Sequence, residues 1–318
     1  MHDHGNMMEF ASRLGGIVES QTHIYRTIRG CNIRADVYPA SQGAALCPAL
    51  VWIHGGALIE GNRKQIVPEQ LAAYHAAGFT VVAIDYRLAP ETKLPAIVED
   101  VQAAFDWLPE AGPSLFGIDP ARIGVVGHSA GGYLALLSGL VVSPRPRALV
   151  AFYGYGDILG DWYAKPDAFY RQQPLVPSEQ AYAVVGGPPI SEAYGARFDF
   201  YLYCRQQGRW LQEVGGREPE LEPSFYAPYC PVRHIPADYP PTLLLHGDQD
   251  TDVPYEQSVM MAEALAHAGV EHRLLTIPGG GHGFDRRWSD PQVEPPFREV
   301  LTFLDRTLNP EAMAGTEV

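Results

Sequence analysis

The sequence has few cysteines, and they are placed so as to exclude two classes of small stabilised domain. Its four cysteines stand far apart in 318 residues: Cys31, Cys47, Cys204 and Cys230. They form neither a CxxC pair nor a Cys/His set at metal-ligand spacing, so we predict no structural zinc site and no dense disulfide framework. We expect the thiols to be free or buried.

Long apolar runs are also absent. No stretch reaches the roughly 18 to 20 residues that a membrane-spanning helix requires. The first ten residues are polar and acidic, without the basic start and apolar run of a secretory signal, so a cytoplasmic location is expected by default. His2 and His4 at this end could bind a metal, but a frayed terminus is the simpler interpretation.

Positive charge is scarce: 23 Lys and Arg stand against 37 Asp and Glu, which gives a formal net charge of −14. Binding a polyanion requires clustered Lys and Arg, and no such cluster occurs, so no nucleic-acid partner is expected. The apolar fraction of 46% and the aromatic fraction of 11% are those of an ordinary globular protein.

Two apolar patterns organise the chain. Residues 22–28 and 31–38 surround a turn and predict an antiparallel hairpin. Afterwards, short apolar runs that suit doubly buried strands alternate with segments of helical spacing. The predicted strands are 49–53, 79–84, 122–126, 148–152, 242–245 and 272–277, and the predicted helices are 68–77, 96–108, 130–141, 255–268 and 296–308. This βαβ succession predicts an α/β fold with a mostly parallel central sheet flanked by helices.

Residues 154–239, called the cap segment below, interrupt this alternation and are rich in Pro, Gly, Tyr and Trp. We predict an inserted cap above the sheet edge where ligands bind in open α/β sheets. Its aromatic residues form either its own core or a wall of a substrate site. The predicted divisions are an N-terminal segment 1–21, a core of 22–153 and 240–309, the cap segment 154–239, and a C-terminal tail 310–318.

A GxSxG motif, GHSAG at residues 127–131, follows a predicted strand and precedes a predicted helix. At such a turn the flanking positions have no room for a Cβ, and glycine on either side lets Ser129 project its hydroxyl above the sheet. The motif alone arises by chance in a glycine-rich chain. Its strand–turn–helix context predicts that Ser129 is a nucleophile.

A serine hydroxyl needs a base, and the base needs an acid that orients it; in this topology both follow later in the chain. His282, in GGGHGF after a predicted strand, is the candidate base, in a loop expected to leave its imidazole mobile and exposed. A solvent-facing loop histidine is the alternative. The loop HGDQDTDVP at 246–254 offers Asp248, Asp250 and Asp252 as candidate acids.

The oxygen that becomes negative when a serine attacks a carbonyl needs hydrogen-bond donors. One predicted donor is the backbone amide of Ala130, which follows the nucleophile. The others are the amides of Gly56 and Ala57 in WIHGGA at residues 52–57, where glycines follow a predicted buried strand. His54 is expected to shape this loop by hydrogen bonding rather than to act chemically.

These motifs together resemble the α/β-hydrolase superfamily over most of the chain outside the cap segment. HGG at 54–56, DYRLAPE at 85–91 and GHSAGG at 127–132 look like the hormone-sensitive-lipase-like esterases. That resemblance implies the α/β-hydrolase fold and a carboxylesterase acting on short acyl or aryl esters, with Arg87 and Asp100 structural.

The loop at 246–254, called the acid loop below, is similar instead to prolyl-oligopeptidase-like, feruloyl-esterase-like and formamidase-like hydrolases. Ala57 stands where the hormone-sensitive-lipase-like esterases usually have a third glycine. The separation of Asp250 from the following Val-Pro matches the acid in many such hydrolases. Asp250 is therefore the preferred acid, with Asp252 second and Asp248 third. The other two aspartates are expected to be solvated or to cap the helix that begins near residue 254.

Three functions are compatible with these motifs. The first is a carboxylesterase that acts on a small-molecule ester through an acyl-enzyme, without metal or cofactor. The second is an amide hydrolase such as a formamidase or an aminopeptidase-like enzyme. The hairpin begins near residue 22, so no propeller-sized domain is expected before the core, which disfavours a gated oligopeptidase. The third, a binding protein that has kept the fold, is disfavoured because every triad candidate is retained. A monomer or a homodimer is expected.

Overall fold

The computed structural model of the protein describes residues 19–40 and 46–310. Its centre is one eight-stranded sheet with the strand order β1-β2-β4-β3-β5-β6-β7-β8. The strands are β1 Gln21–Ile28, β2 Cys31–Tyr38, β3 Cys47–Ile53, β4 Thr80–Ile84, β5 Ile118–His128, β6 Ala148–Phe152, β7 Thr242–Gly247 and β8 His272–Ile277. The hairpin β1–β2 and the pair β2–β4 are antiparallel, and the other neighbouring strands are parallel. The predicted α/β class with a mostly parallel sheet is confirmed.

Helices cover both faces of the sheet, which explains the wholly apolar strands. Every residue of β4, β6 and β7 is buried. The helices of the core are α1 Pro68–Ala76, α2 Leu94–Phe116, α3 Ala130–Val141, α9 Glu256–His267 and α10 Glu294–Leu308. Side chains of α2, α3 and α9 belong to the hydrophobic cluster on one face, and those of α1 and α10 belong to the cluster on the other.

Helix α2 is longer than the predicted helix 96–108. It continues through Pro109 and Pro113, where the sequence indicates an end because proline lacks the N–H of the helical ladder. The buried residues Leu108, Gly112 and Phe116 recur at intervals of four, so the packed face of the helix extends beyond the prolines. Tertiary packing therefore outweighs the local preference at this end.

The cap segment lies between β6 and β7 and contains five short α-helices. They are α4 Asp161–Ala164, α5 Ser178–Tyr182, α6 Phe198–Gln207, α7 Trp210–Gly215 and α8 Pro223–Tyr226. Several of its aromatic rings stack on one another: Tyr163 lies 3.7 Å from Trp162 and 4.0 Å from Trp210 between ring centroids. Phe169 and Phe198 are exposed. These stacked rings belong to the same hydrophobic cluster as the residues on one face of the sheet. The boundaries of the cap segment as a domain stay a prediction.

His2 and His4, near the N-terminal end, lie outside the described residues, so the prediction about a metal-binding end stays untested. Within residues 19–40 and 46–310, no helix has both the length and the apolar character needed to cross a membrane.

Candidate active site

Ser129 lies at the sharp turn between β5 and α3. Its backbone has φ 56° and ψ −119°, a combination that residues with a side chain rarely adopt. A Cβ on Gly127 would lie 2.0 Å from the carbonyl oxygen of Gly131, and a Cβ on Gly131 would lie 2.0 Å from that of Ile53. Backbone packing therefore requires both flanking glycines, and the turn holds Ser129 at the carboxyl end of β5.

The imidazole of His282 connects Ser129 with the acid loop. Its Nε2 lies 3.1 Å from Oγ of Ser129, and its Nδ1 lies 2.8 Å from Oδ2 of Asp250. The prediction of an exposed imidazole is wrong, since the side chain is only 23% exposed. The ring of Tyr153, the residue after β6, packs against it at 4.6 Å between centroids, with the two rings roughly perpendicular. The structure thus brings together the predicted nucleophile, base and acid.

The carboxylate of Asp250 is buried and held from several sides. Its Oδ1 accepts hydrogen bonds from the backbone N–H groups of Asp252 at 2.8 Å and Val253 at 3.0 Å. Its Oδ2 lies 3.2 Å from Nε2 of His246 and 2.8 Å from Nδ1 of His282. Burial alone would raise the pKa of Asp250, but these two imidazoles hold it well below its ordinary value. Asp250 is thus kept in the ionised form that can orient an imidazole.

The prediction that the remaining aspartates are solvated or cap a helix is wrong for Asp252. Its Oδ1 lies 2.7 Å from Nη1 of Arg205 and accepts a hydrogen bond from the hydroxyl of Tyr201. Its Oδ2 lies 3.4 Å from Nε2 of His282. Asp248 is exposed and accepts a backbone hydrogen bond from the loop after β8. Arg205 and Tyr201 belong to the cap segment, whose fold the sequence pattern does not predict.

The loop after β3 passes directly beside Ser129. A Cβ on Gly55 would lie 2.9 Å from the carbonyl oxygen of His128 and 3.2 Å from Cβ of Ser129. Only glycine permits so close an approach. This contact places the segment that contains the predicted oxyanion donors next to the turn that carries the serine.

Two of those predicted donors, Gly56 and Ala57, have positive φ angles of 100° and 54°. The loop is tied back by its own backbone, since the carbonyl of Gly56 accepts hydrogen bonds from the N–H groups of Ile59 and Glu60, both at 2.9 Å. Trp210 of the cap segment donates from its indole nitrogen to the carbonyl of Ala57 at 2.9 Å. The third predicted donor is the amide of Ala130, which follows Ser129 as the first residue of α3 and is fully buried.

His54 is buried at the start of the same loop. Its Nδ1 lies 2.7 Å from the carbonyl oxygen of Gly55, and its ring stacks on Tyr86 at 4.2 Å between centroids. Burial lowers the pKa of His54 to about 4, so the ring is neutral at physiological pH. These contacts are those of a residue that shapes the loop.

Sequence reasoning missed a buried polar network beneath the site. Asp285 is 1% exposed, and its Oδ2 lies 3.0 Å from Nε2 of His128 and accepts a hydrogen bond from Gln70 at 2.7 Å. Its Oδ1 accepts a hydrogen bond from the hydroxyl of Tyr153 at 2.7 Å. Burial would raise the pKa of Asp285, but chiefly the charge of His128 lowers it to about 2. The available signal was an aspartate three residues after His282, in GHGFD.

Opposing influences act on the pKa of His282. Burial lowers it, whereas the charge of Asp252 and the hydrogen bond to Asp250 raise it, and the guanidinium of Arg286 acts against them. The net effect is a pKa above the ordinary value of an imidazole. The site therefore favours the imidazolium that forms when His282 accepts a proton.

Other residues singled out in the sequence lie in supporting positions. Arg87 pairs with Asp100 at 2.7 Å, and the Asp100 carboxylate is fully buried. Arg197 of the cap segment binds Glu91 through two hydrogen bonds of 2.7 and 2.9 Å and donates to the carbonyl of Ala89 at 3.0 Å. Buried ion pairs of this kind fasten the loop after β4 to α2 and to the cap segment.

Groups of three or more His, Cys, Asp or Glu side chains arranged to hold a metal ion do not occur in the described part of the chain. The chemistry assembled here is that of a hydroxyl, an imidazole and a carboxylate in a hydrogen-bonded series. Such a series can move a proton from a serine to an imidazole and back.

Comparisons with known families agree with this geometry. The sequence matches the BD-FAE family over residues 35–161 and the prolyl oligopeptidase family over residues 196–311. The first match contains Ser129, and the second contains Asp250 and His282.

Two curated relatives illustrate the sequence similarity. Esterase LipC of Mycobacterium tuberculosis is 28% identical over 277 residues, which cover 85% of this chain and 61% of LipC. Non-reducing polyketide synthase Preu3 of Preussia isomera is 28% identical over 313 residues, which cover 81% of this chain and 12% of the synthase. The chain spans only 12 to 15% of the length of the first four synthases that it matches.

Solved structures show the same fold. An α/β-hydrolase superfamily protein from Enterococcus faecalis has a TM-score of 0.73 at 23% identity, covering 91% of this chain and 100% of that protein. A bacterial heroin esterase has a TM-score of 0.69 at 24% identity, covering 96% of this chain and 90% of the esterase. The predicted α/β-hydrolase fold is confirmed.

Proposed function

We propose that this chain is a serine carboxylesterase of the α/β-hydrolase superfamily that cleaves short-chain or aryl esters. The observation that carries the proposal is the continuous series from Ser129 Oγ through His282 to Asp250, with distances of 3.1 and 2.8 Å. The similarity to LipC and to the heroin esterase, both called esterases, supports an ester as substrate.

In the proposed reaction, His282 Nε2 takes the proton of Ser129 as Oγ attacks the ester carbonyl carbon. The carbonyl oxygen receives the electron pair and is stabilised by the backbone amides of Gly56, Ala57 and Ala130. The imidazolium then donates its proton to the alcohol oxygen as the C–O bond breaks, which leaves an acyl-serine. Water then attacks the acyl-serine as His282 takes a proton from the water, and the imidazolium returns a proton to Ser129 Oγ as the acyl C–O bond breaks. This step releases the acid and restores Ser129.

Asp250 holds the imidazole in the required tautomer throughout. Its Oδ2 accepts from Nδ1, so Nε2 is left free to receive the serine proton. The depressed pKa of Asp250 keeps it ionised while the neighbouring ring gains and loses charge. The proposed mechanism uses no metal or cofactor.

Amide hydrolysis is the second candidate, because residues 196–311 match the prolyl oligopeptidase family. The same nucleophile and base would serve, but the leaving group is a poorer one and must be protonated as it departs. The choice between the two rests on which bond the enzyme cleaves faster.

A substrate panel tests both candidates. We expect p-nitrophenyl esters with acyl chains of two to eight carbons to be hydrolysed, and Ser129→Ala to abolish turnover while the protein stays folded. An aryl formamide and an aminoacyl anilide are the comparison substrates. A clear preference for the amides would replace the ester proposal, and failure of a fluorophosphonate to label Ser129 in folded protein would remove both.

A further inference from the structure

We propose that Arg205 of the cap segment is a positioning residue that holds Asp252 against His282, so that the Asp252 carboxylate stabilises the positively charged imidazole. This inference rests on the proposed role of His282 as the base. It makes the cap segment part of the proton-transfer apparatus rather than a cover alone.

Arg205 belongs to the cap segment, is almost completely buried and contacts the acid loop. Its side chain is 1% exposed and pairs with Asp167 at 2.8 Å and with Asp252 at 2.7 Å. It also donates to the hydroxyl of Tyr201 at 2.7 Å and to the backbone carbonyl of Asp252 at 3.1 Å. A charge this deeply buried is tolerated only where it is paired, and the carboxylates of Asp167 and Asp252 both pair with this guanidinium, so its position is strongly fixed.

Aromatic rings surround the same guanidinium. Its central carbon lies 4.8 to 5.8 Å from the ring centroids of four residues: Trp162, Tyr163, Tyr170 and Tyr201. Cation–π attraction at these distances restricts the guanidinium further. The guanidinium of Arg205 fills the space among these four rings.

The two oxygens of Asp252 face different partners. Oδ1 is engaged by Arg205 and by the hydroxyl of Tyr201. Oδ2 lies 3.4 Å from Nε2 of His282, the same atom that lies 3.1 Å from Oγ of Ser129. The carboxylate therefore lies where the imidazole becomes charged when it accepts the serine proton.

Other charged groups around His282 do not replace this contribution. Asp250 acts at the opposite nitrogen, Nδ1, and shares its carboxylate with His246. Arg286 has the opposite sign and disfavours the imidazolium, while Tyr153 presents a ring edge. Asp252 is thus the negative charge on the Nε2 side, and consistently its charge helps to raise the pKa of His282.

The purely structural alternative is that Arg205 only stabilises the fold. Arg197 is a matched control, because it too belongs to the cap segment and forms a buried ion pair, with Glu91 at 2.7 Å. Its partners are on the loops after β3 and β4 rather than on the acid loop. Replacing either arginine removes a buried charge, but only Arg205 contacts Asp252.

The test is the effect of Asp252→Asn in three backgrounds: wild type, Arg205→Met and Arg197→Met. The pH dependence of kcat/KM is measured with p-nitrophenyl acetate, and the His282 ring is titrated by NMR with His282→Asn for assignment. In wild type and in Arg197→Met, Asp252→Asn should lower both midpoints by about half to one pH unit, as expected for a nearby, partly solvated charge. In Arg205→Met the same substitution should shift them by less than about a third of that amount.

Equal shifts in all three backgrounds would show that Arg205 does not position Asp252, and no shift in wild type would overturn the role of Asp252. If Arg205→Met does not fold, Arg205→Lys serves instead, because it keeps the charge but loses the planar fork of donors, and a reduced shift is expected. The NMR titration does not require turnover. A shifted His282 in a protein without esterase activity would therefore support this inference while removing the proposed function.

Discussion

Nε2 of His128 lies 3.0 Å from Oδ2 of Asp285, which joins the residue before Ser129 to the loop that carries His282. Tyr153, whose ring packs on His282, donates to the same carboxylate. Asp285 therefore connects the end of β5, the residue after β6 and the loop after β8.

The first prediction concerns this aspartate. Asp285→Asn should lower the free energy of unfolding by about 2 to 4 kcal/mol at pH 7, because a buried carboxylate with three partners loses its charge. Its folded pKa is depressed to about 2, so its stabilisation is present above about pH 4 and is lost as the pH falls toward 2. Urea unfolding at pH 7 and pH 3 measures the difference between variant and wild type.

Asp106→Asn, on the exposed side of α2, is the control for this measurement and should have little effect at either pH. A cost for Asp285→Asn that stays constant between pH 7 and pH 3 would contradict the assigned ionisation.

The second prediction separates the two aspartates near His282. Asp250→Asn should lower kcat by about 10³- to 10⁴-fold, because the imidazole loses the acceptor that sets its tautomer. Asp252→Asn at pH 8 should lower kcat by less than about tenfold, since it removes a supporting charge at 3.4 Å rather than the orienting hydrogen bond. Steady-state kinetics with one p-nitrophenyl ester measures kcat of both variants. Equal losses of kcat in the two variants would count against Asp250 as the orienting acid.

The third prediction concerns the pH profile. Because the pKa of His282 is raised, its unprotonated form should disappear as the pH falls through a value above about 6.5. The acid limb of kcat/KM should therefore have its midpoint above about 6.5. A midpoint below that value would mean that burial of the ring outweighs the two neighbouring carboxylates.

The fourth prediction concerns Gly131, the second of the two glycines that flank Ser129. Gly131→Ala should lower the free energy of unfolding by about 3 kcal/mol or more, because its Cβ would lie 2.0 Å from a backbone oxygen of β3. Gly187→Ala is the matched control, since an added Cβ there would meet nothing within 4 Å. Urea denaturation of the two variants should differ widely, and similar midpoints would show that the turn can rearrange.

The fifth prediction compares Gly56 and Ala57, adjacent residues of the loop after β3 that carry proposed oxyanion donors. Ala57→Gly should keep the fold and lower turnover by less than about threefold, because φ of 54° suits glycine and the proposed donor is the amide. Gly56→Ala should lower turnover by about 10²-fold or more, since its Cβ would lie 2.1 Å from the carbonyl oxygen of Glu60. Kinetics and thermal unfolding of both variants check this contrast, and full activity in Gly56→Ala would exclude a fixed loop.

The sequence predicts the α/β class, the strand positions within a few residues and the three members of the candidate series. It can do so partly because the turn that carries Ser129 constrains its neighbours. Gly127 is required by the backbone of Gly131, four residues along the chain, whereas Gly131 is required by the backbone of the adjacent strand β3. Parallel strands then bring the loops that follow them to one edge of the sheet, which makes the grouping of Ser129, Asp250 and His282 a consequence of topology.

Other features depend on residues far apart in the chain, and local pattern carries no information about them. The length of α2 beyond Pro109 is decided by packing of its buried face, against the helix-ending preference of proline. The partners of Asp252 come from a segment without clean periodicity, and those of Asp285 come from three separate elements. Buried charges require partners wherever the fold can supply them, and only the tertiary structure decides which side chains those are.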